Sequence, residues 1–254
     1  MNAMYREQSL SGKRALITGA SAGIGAATAR ALAGAGAHVT LAARRRERLE
    51  ELAAELGEAE IIELDVRDAE AVNEAVSGLE LDICIPNAGL AFGSGPIQEG
   101  DPADWSVMID TNVKGVLHVV RAALPGMIER GDGDFVILGS VAGRQVYPGG
   151  NVYNATKHAV RAIYEAMRLD AAGSGVRFTT VDPGMVETEF SKVRFGGDEE
   201  KAKAVYAGMD PIRPEDVADA ILWAITRPPN INIGEIVMWA RAQASTTLID
   251  RRDA

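Results

Sequence analysis

RALITGASAGIGAATARALAGAG, residues 14–36, is the most informative segment of the chain. An apolar run of strand length leads into a turn that carries glycines, and an alanine-rich stretch with helical periodicity follows at once. Glycine at such a turn lets the backbone approach a pyrophosphate, and the helix amino terminus offers free N–H groups to the phosphate. A tight turn without a ligand is the alternative, but the order of strand, turn and helix favours a dinucleotide site. The residues predicted to form this site are Gly19, Ser21, Gly23, Ile24 and Gly25.

The alternation of strand and helix continues along the chain. Apolar runs of strand length lie at 14–18, 38–42, 61–64, 81–85, 135–138, 176–181 and 236–239. Stretches with helical periodicity lie between them, at 23–35, 46–56, 69–77, 103–130, 152–172 and 215–226. Continuous apolar strands separated by helices are typical of a parallel sheet covered on both faces. We therefore predict an α/β fold with a doubly wound parallel sheet, in a single domain at residues 13–254 behind a polar leader at residues 1–12.

Two places depart from this regular pattern. Pro125 lies inside the helical stretch 103–130 and predicts a kink or a break there. The irregular stretch at residues 183–210 is longer than the usual connection in a compact domain. We therefore expect a functional lid at about residues 184–210.

The composition excludes several classes of protein. Hydrophobic residues make up 47% of the 254 residues and charged residues 24%, which is typical of a globular chain. The net charge of −10 argues against a general nucleic-acid binder, because such proteins neutralise phosphates. No apolar run reaches the ~18 residues of a membrane span, and the first ten residues lack the apolar core of a signal peptide. The single cysteine, Cys84, fits a reducing compartment, so we expect a cytoplasmic protein without nucleic-acid or membrane partners.

The residues after the second apolar run bear on the choice of cofactor. Arg44, Arg45 and Arg46 follow this run, and no acid stands at its end. In dinucleotide sites an acid here binds the ribose 2′-hydroxyl, whereas an arginine suits a 2′-phosphate. A merely solvated cluster at the start of an exposed helix is the alternative. We predict NADP(H) rather than NAD(H), with Arg44 as the main contact and Arg45 as the second.

Tyr153 and Lys157 are four residues apart in a helical stretch, so they project from one face of the helix. A free tyrosine, with a pKa of about 10, is a reluctant base at neutral pH. A neighbouring ammonium and the positive charge of an oxidised nicotinamide would favour the phenolate. Ser140 follows the apolar run DFVILG, and Asn87-Ala88-Gly89 follows the fourth run, so both belong at the carboxyl edge of the sheet, where doubly wound folds bind ligands.

From about residue 10 to residue 240 the chain resembles the short-chain dehydrogenase/reductase family. The motifs that carry the resemblance are TGASAGIG (residues 18–25), NAG (residues 87–89), Asn112, Ser140, YNATK (residues 153–157) and DPG (residues 182–184). The resemblance implies a Rossmann-like fold and hydride transfer between a nicotinamide and a carbonyl/alcohol pair. It implies that Ser140 polarises the substrate oxygen, Tyr153 exchanges its proton, Lys157 holds the ribose and lowers the tyrosine pKa, and Asn112 orders a relay water.

The resemblance also implies the remaining contacts with the cofactor. Asp65 would contact the adenine, Asn87 would line the cofactor groove, and Thr188 would lie near the carboxamide. Further cofactor contacts would come from Val66, Ala88, Gly89, Pro183, Gly184 and Val186. The chain departs from the family at Pro86, where an asparagine is usual, and at Ala22, where some NADP-preferring members carry a basic residue.

Further stretches resemble the NADP-dependent 3-hydroxy acid dehydrogenases of the serine/allo-threonine type. These stretches are MIDTNVKG, GGNVYNATK, TEFSKVRFGGDEEKA and NINIGEIVM. This resemblance implies oxidation of small 3-hydroxy acids or reduction of small semialdehydes. Such a substrate is anionic and needs a cation near the nicotinamide, and arginine matches a carboxylate or sulfonate bidentately. Arg194 in the lid and Arg144 after Ser140 are the candidates, and surface solvation is the alternative for each.

Two other functions remain open at this point. The same chemistry could act on a bulkier ketone, or the chain could be a cofactor-binding regulatory protein that has lost catalysis. The complete set of Asn112, Ser140, Tyr153 and Lys157 argues against the second alternative. His38 and His118 lack metal-ligand spacing with any other residue, so no metal site is expected. The long helices at 103–130 and 152–172 resemble those that pair between subunits in this family, which implies a homotetramer or a dimer.

Overall fold

A seven-stranded parallel sheet forms the centre of the molecule, and the computed structural model describes residues 9–251 of the chain. The strands are β1 (Arg14–Thr18), β2 (His38–Ala43), β3 (Ala59–Glu63), β4 (Ile83–Ile85), β5 (Gly133–Leu138), β6 (Val176–Pro183) and β7 (Glu235–Met238). Their order in the sheet is β3-β2-β1-β4-β5-β6-β7, so the chain winds outward from β1 to β3 and then returns to place β4 beside β1. Ligands of doubly wound folds bind at the strand carboxyl ends beside this switch point. The predicted fold class is confirmed.

Helices cover both faces of this sheet. They are α1 (Gly23–Gly34), α2 (Arg46–Leu56), α3 (Ala69–Val76), α4 (Pro102–Ile109), α5 (Gly115–Arg130), α6 (Asn151–Asp170), α7 (Phe190–Arg194), α8 (Glu199–Ala204) and α9 (Pro214–Ile225). Apolar side chains of α1, α2 and α9 pack in one core cluster, and those of α3, α5 and α6 pack in another. Within β1, Ala15 and Ile17 belong to the first cluster and Leu16 to the second, because successive side chains of a strand point to opposite faces.

The predicted long helix at 103–130 is interrupted, but not where the sequence indicated. A π-helical turn at Asp110–Lys114 separates α4 from α5, whereas α5 continues through Pro125. Of the predicted kink or break at Pro125, the break was therefore wrong, and a kink stays a prediction. Proline removes one hydrogen bond to the carbonyl four residues earlier, which belongs here to the exposed Arg121 and can bind water instead.

The predicted lid segment contains two short helices, α7 and α8, and is less irregular than the sequence indicated. Helices of five and six residues are too short to give a clear periodic signal. The base of the segment is fixed by two backbone hydrogen bonds, from Glu187 N to Ile212 O (2.9 Å) and from Ile212 N to Met185 O (3.0 Å). At the far side, Arg251 Nη2 donates to Val205 O (2.9 Å), so the carboxyl-terminal segment also contacts the lid.

The predicted leader, residues 1–12, falls largely outside the described residues, which begin at residue 9. Its last part packs against the domain: Leu10 is buried in the core cluster of α1, and Leu10 N donates to Ala35 O (2.7 Å). No helix within residues 9–251 has the length and apolar character needed to cross a membrane.

Candidate active site

The strand carboxyl ends open into a cavity of about 660 Å³. Most of the residues that the sequence predicted for cofactor binding, catalysis or substrate binding line it. They are Gly19, Ser21, Gly23, Ile24, Arg44, Arg45, Asp65, Val66, Asn87, Ala88, Gly89, Ser140, Tyr153, Lys157, Pro183, Gly184, Val186, Thr188 and Arg194. Gly25, Asn112 and Arg144 do not line the cavity. The fold therefore brings residues from six strand ends, from α6 and from the predicted lid segment into one place.

The turn between β1 and α1 can be built only from glycine at its critical positions. Gly19 and Gly23 have φ angles of +68° and +54°, which side chains other than glycine rarely adopt. A Cβ on Gly25 would lie 2.4 Å from the carbonyl oxygen of Gly19 and 2.5 Å from Asn87 Nδ2. Gly25 therefore supports the site by allowing α1 to approach β1 and β4, although it does not line the cavity.

The amino terminus of α1 faces the cavity and fits a pyrophosphate. In the part of the chain that the structure describes, no side chain caps this helix at Ala22, so its first N–H groups remain free for an anion. Asn87 fixes the turn, because its Nδ2 donates to Thr18 O (2.8 Å). The backbone N–H groups of Asn87 and Ala88 both donate to Thr18 Oγ1 (3.1 Å each).

Arginines stand at the end of the cavity beside β2. Arg45 donates to Ser21 Oγ from Nε (3.1 Å) and Nη2 (3.0 Å), and to the Glu189 carboxylate from Nη1 (2.9 Å). The exposed Arg44 side chain forms no hydrogen bond or ion pair with residues 9–251, and its charge contributes to lowering the pKa of Asp65. Two adjacent arginines, Arg44 and Arg45, at this position fit the 2′-phosphate of NADP(H).

Asp65 lies at the cavity edge after β3 in an ion pair with Arg67. Its carboxylate accepts hydrogen bonds from Arg67 Nε (3.0 Å) and Nη2 (2.6 Å). These hydrogen bonds hold the pKa of Asp65 below its usual value, so the carboxylate is ionised. The adenine contact implied for Asp65 stays a prediction, as does the cofactor contact of Val66.

Tyr153 is buried at the centre of the site, with 8% of its surface exposed. Its ring packs against Phe190 of α7, with the centroids 5.5 Å apart. Burial raises the pKa of Tyr153 above its usual value, and the nearby Tyr147 adds to this rise. Ser140 and Arg194 lower the pKa of Tyr153, but not enough to offset burial. The protein groups alone therefore hold the phenol protonated, in contrast to the lowered pKa expected from the sequence.

Lys157 projects from α6 one turn after Tyr153, as the spacing predicted. Its Nζ donates to the carbonyl oxygen of Leu138 at the end of β5 (2.8 Å). Burial lowers the pKa of Lys157 to about 8, and the negative charge of Asp182 opposes this shift. This lysine therefore titrates much closer to neutrality than an exposed lysine.

Asn112 lies in the π-helical turn and is 1% exposed. Its Nδ2 donates to Leu90 O (2.8 Å) and to Thr156 Oγ1 (3.1 Å), and its Oδ1 accepts from Leu90 N (2.8 Å). Both N–H groups of this amide are in use, so the side chain holds α6 against the loop after β4. The relay water implied by the family resemblance stays a prediction.

Arg194, at the end of α7, reaches into the cavity beside Tyr153. Its Nε donates to Gly93 O (2.9 Å), Nη1 to the hydroxyl of Tyr147 (2.8 Å), and Nη2 to Gly149 O (3.3 Å). A guanidinium has five N–H donors, so two remain on the Nη atoms. They can bind a carboxylate or a sulfonate through both of its oxygens.

Arg144 has a different position from the one expected, and its assignment to the substrate is corrected. Its side chain, 19% exposed, pairs with Asp182 through Nε and Nη2 (2.6 Å each) and with Glu235 through Nη2 (2.5 Å). Asp182 is a buried carboxylate, and such a charge requires a partner. Arg144 therefore neutralises two carboxylates behind the site and does not line the cavity.

Sequence reasoning missed several residues of the cavity wall. Tyr147 contacts Arg194 at one end of the cavity, and Glu189 contacts Arg45 at the other end. Thr246 and Ile249 of the carboxyl-terminal segment also line the cavity. Glu189 follows Thr188 directly, and an acid there could have been recognised as a partner for the basic cluster after β2. The last two residues carry no sequence signal, since only the fold brings that segment back to the site.

The cysteine and two histidines make ordinary structural contacts. Cys84 is fully buried in β4, and burial raises the pKa of its thiol. His118 Nδ1 lies 2.8 Å from Val66 O, and His158 Nδ1 lies 2.8 Å from Asn154 O. Across residues 9–251 no group of three or more His, Cys, Asp or Glu side chains could hold a metal ion.

Known proteins with similar sequences and structures point to one chemistry. A family model described as short chain dehydrogenase matches residues 13–198. The chain is 44% identical over 236 residues to the NADP-dependent 3-hydroxy acid dehydrogenase YdfG of Escherichia coli K12, which covers 90% of this chain and 95% of that protein. It is 44% identical over 246 residues to sulfoacetaldehyde reductase 2 of Chromohalobacter salexigens, covering 93% and 98%. The closed form of serine dehydrogenase complexed with NADP+ has a TM-score of 0.90 at 42% identity, and the match covers 94% of this chain and 100% of that chain.

Proposed function

The chain belongs to the short-chain dehydrogenase family, and on that premise we propose that it is an NADP(H)-dependent oxidoreductase. The reaction is hydride transfer between the nicotinamide and a small hydroxy acid or the corresponding semialdehyde. One observation carries the proposal: Tyr153, Ser140 and Lys157 line the same cavity as the glycine turn, Arg44 and Arg45. Proton-transfer groups and a site suited to a phosphorylated dinucleotide therefore share one space.

The positions of several residues along the cavity support their assignment to NADP(H). The free N–H groups of α1 and the glycine turn would bind the pyrophosphate, while Arg44 and Arg45 would bind the 2′-phosphate. Asp65 would contact the adenine, and Val66 would also contact the cofactor. Lys157 binds the nicotinamide ribose, and the walls along the cofactor come from Asn87, Ala88, Gly89, Pro183, Gly184, Val186 and Thr188.

The protein residues handle the proton while the bound cofactor supplies or accepts the hydride. In the direction of reduction, Ser140 donates a hydrogen bond to the carbonyl oxygen and Tyr153 transfers its phenolic proton to that oxygen as the alcohol forms. Burial keeps the phenol protonated, which suits this step. In the direction of oxidation, Tyr153 accepts the alcohol proton as a phenolate, and the positive charges of Lys157 and Arg194 stabilise that phenolate.

The substrate is anionic, and Arg194 binds its charged group. A hydroxy acid and a sulfoacetaldehyde, which appear in the names of the two relatives, carry a carboxylate and a sulfonate respectively. Arg194 is fixed by three acceptors beside Tyr153 and keeps two N–H donors free, so it is preorganised for either group. The segment at residues 184–210 acts as the lid that carries this arginine.

The decisive experiment follows the absorbance of reduced nicotinamide with purified protein. We expect turnover of NADP+ with serine and other small 3-hydroxy acids, or of NADPH with small semialdehydes. Tyr153→Phe should lower kcat by at least about 100-fold while NADPH still binds. Binding of NADPH without turnover of any carbonyl compound would instead indicate a regulatory protein. Turnover confined to bulky neutral ketones would contradict the small anionic substrate.

We also propose a homo-oligomer, most simply a homotetramer. Large apolar side chains are exposed on the helices expected to pair between subunits: Ile109 is 41% exposed, Leu117 43%, Ile128 41% and Leu169 77%. Burial of such side chains between subunits would favour association. Light scattering coupled to size exclusion should give a mass near four times 26.9 kDa, or twice that value for a dimer. A monomer would contradict the proposal.

A cytoplasmic location is proposed for the same protein. The single cysteine, Cys84, is buried as a free thiol, which fits a reducing compartment. Fractionation of cells that express the protein should place the NADP-dependent activity in the cytoplasmic fraction, and recovery from the periplasm or membrane would contradict this location.

A further inference from the structure

Glu189 contacts the arginines at the end of the cavity expected to bind the 2′-phosphate. Its carboxylate accepts a hydrogen bond from Arg45 Nη1 (2.9 Å) and lies 3.7 Å from Arg48 Nη2. The residue belongs to the lid and stands directly before α7, whereas both arginines belong to the β2–α2 region. A negative group from a distant part of the chain therefore occupies part of the cationic site.

The charges near this position can be compared directly. Arg46 pairs with Glu50 of its own helix at 2.8 Å, so it contributes little free charge. Arg44, Arg45 and Arg48 remain, and Glu189 faces two of them. These arginines hold the pKa of Glu189 below its usual value, so the carboxylate is ionised at neutral pH.

We propose that Glu189 is a cofactor-selectivity residue: by sharing Arg45 with the 2′-phosphate, it lowers the preference for NADP(H) over NAD(H) that the arginines alone would give. This inference rests on the proposed binding of NADP(H) at Arg44 and Arg45. The physical cause is the repulsion between a carboxylate and a phosphate that bind the same guanidinium. NAD(H) carries a hydroxyl at that position, so the charge of Glu189 affects it far less.

Because Glu189 belongs to the lid, this repulsion would assist release of the cofactor in the catalytic cycle. Glu189 precedes α7 and Arg194 ends it, so the phosphate end and the substrate end of the cavity are joined by one turn of helix. A carboxylate that takes over Arg45 when the phosphate leaves favours release of the cofactor. We therefore expect Glu189 to raise the dissociation rate of NADP(H).

The test measures dissociation constants of NADPH and NADH by fluorescence titration, with no substrate present. Glu189→Gln keeps an oxygen that can accept from Arg45 and removes only the charge. We expect the Kd of NADPH to fall by about fivefold and that of NADH to stay unchanged, since an exposed charge pair has an effect of this order. The dissociation rate of NADPH in stopped flow should fall in parallel. Glu187→Gln is the matched control, because it removes an exposed charge two residues away that does not line the cavity.

Other outcomes overturn the inference. Equal changes in the Kd of NADPH and of NADH would mean that Glu189 acts on the lid and not on the phosphate. A selective weakening of NADPH binding would mean that the carboxylate orients Arg45 for the phosphate. An unchanged Kd ratio, or the same change in Glu187→Gln, would also contradict it. Failure of the wild-type protein to prefer NADPH would count against the proposed cofactor itself, which separates the two hypotheses.

Discussion

Arg194 lies over the ring of Tyr153, with its Cζ 5.9 Å from the ring centroid, and the same guanidinium lies 5.5 Å from the centroid of Tyr147. A residue of α7 thus contacts the phenol that we propose as the proton-transfer group. The position of α7 therefore affects the acidity of this phenol, because a guanidinium near a phenol favours its ionised form.

Arg194→Ala should raise the KM for a small hydroxy acid by about 10–100-fold, because a charge-assisted hydrogen bond contributes about 1.5–3 kcal/mol. The KM of Arg194→Lys should lie between those of the wild type and of Arg194→Ala, since an ammonium keeps the charge but lacks the bidentate geometry of a guanidinium. Initial rates with a hydroxy acid and with a neutral hydroxy ester of similar size provide the measurement.

Lys192→Ala is the control, because Lys192 lies in the same helix but is exposed and pairs with Glu199. Its KM values should match those of the wild type. An equal rise for the charged and the neutral substrate in Arg194→Ala would remove Arg194 from substrate binding.

Arg144→Ala should lower the free energy of unfolding by about 3 kcal/mol, because it leaves the carboxylate of Asp182 buried without its ion-pair partner, with only the hydrogen bond from Thr180 Oγ1 remaining. Arg30→Ala, which breaks an exposed pair with Glu55, should lower it far less, because both charges of that pair are solvated. Urea denaturation of the three proteins measures both differences. A KM that rises for the hydroxy acid but not for the neutral ester in Arg144→Ala would restore Arg144 as a substrate contact.

The lowered pKa of Lys157 predicts a pH dependence of stability. Below a pH of about 8 both the folded and the unfolded chain hold this proton, and the folded chain bears the full cost of a buried ammonium. Between that pH and the usual value of 10.5 only the unfolded chain binds the proton, so stability rises with pH through this window.

Lys157→Met provides the comparison, since it cannot titrate. From about pH 7 to about pH 11 the free energy of unfolding of the wild type should rise by about 3 kcal/mol relative to Lys157→Met. Chemical denaturation at several pH values without cofactor measures the difference. A constant difference across the range would mean that the ammonium is solvated.

Gly25→Ala should destabilise the protein by about 2–3 kcal/mol and weaken NADPH binding, because its Cβ would collide with the backbone carbonyl of Gly19. Gly34→Ala, in the same helix, has nothing within 4 Å of the new Cβ. It should stabilise the protein by up to about 1 kcal/mol, since alanine favours the helix. Thermal unfolding and NADPH titration of both variants are the measurements. Similar behaviour of the two would show that close packing at Gly25 is not needed.

The strands and most helices could be predicted from the sequence because their signals are local. Continuous apolar runs gave every strand to within two residues at either end, and α2 was predicted with its observed bounds. The division between α4 and α5 could not be predicted. The π-helical turn is held by the hydrogen bonds of Asn112 to Leu90 and Thr156, which are distant in sequence. A rule about proline pointed to Pro125 instead, where exposure lets water bind the freed carbonyl of Arg121.

The site shows the same contrast between local and distant information. Tyr153 and Lys157 share a helix, so their relation follows from spacing alone. Arg144 and Arg194 were both candidates in the sequence, because the choice depends on which carboxylates lie nearby after folding. Asp182 and Glu235 form ion pairs with Arg144 and neutralise its charge. The hydrogen-bond acceptors of Arg194 are neutral, so its charge remains available; they belong to Gly93, Tyr147 and Gly149.

The π-helical turn at Asp110–Lys114 makes this part of the chain sensitive to deletion. Such a turn holds one residue more than an α-helical turn, so removal of one residue would restore regular backbone pairing. The same removal would rotate α5 against α4 by about 100° about the helix axis. The buried face of α5 would then turn towards solvent, and Asn112 would lose its register with Leu90. The extra residue of the π-helical turn is therefore what keeps the buried face of α5 turned towards the core while α4 keeps its own position.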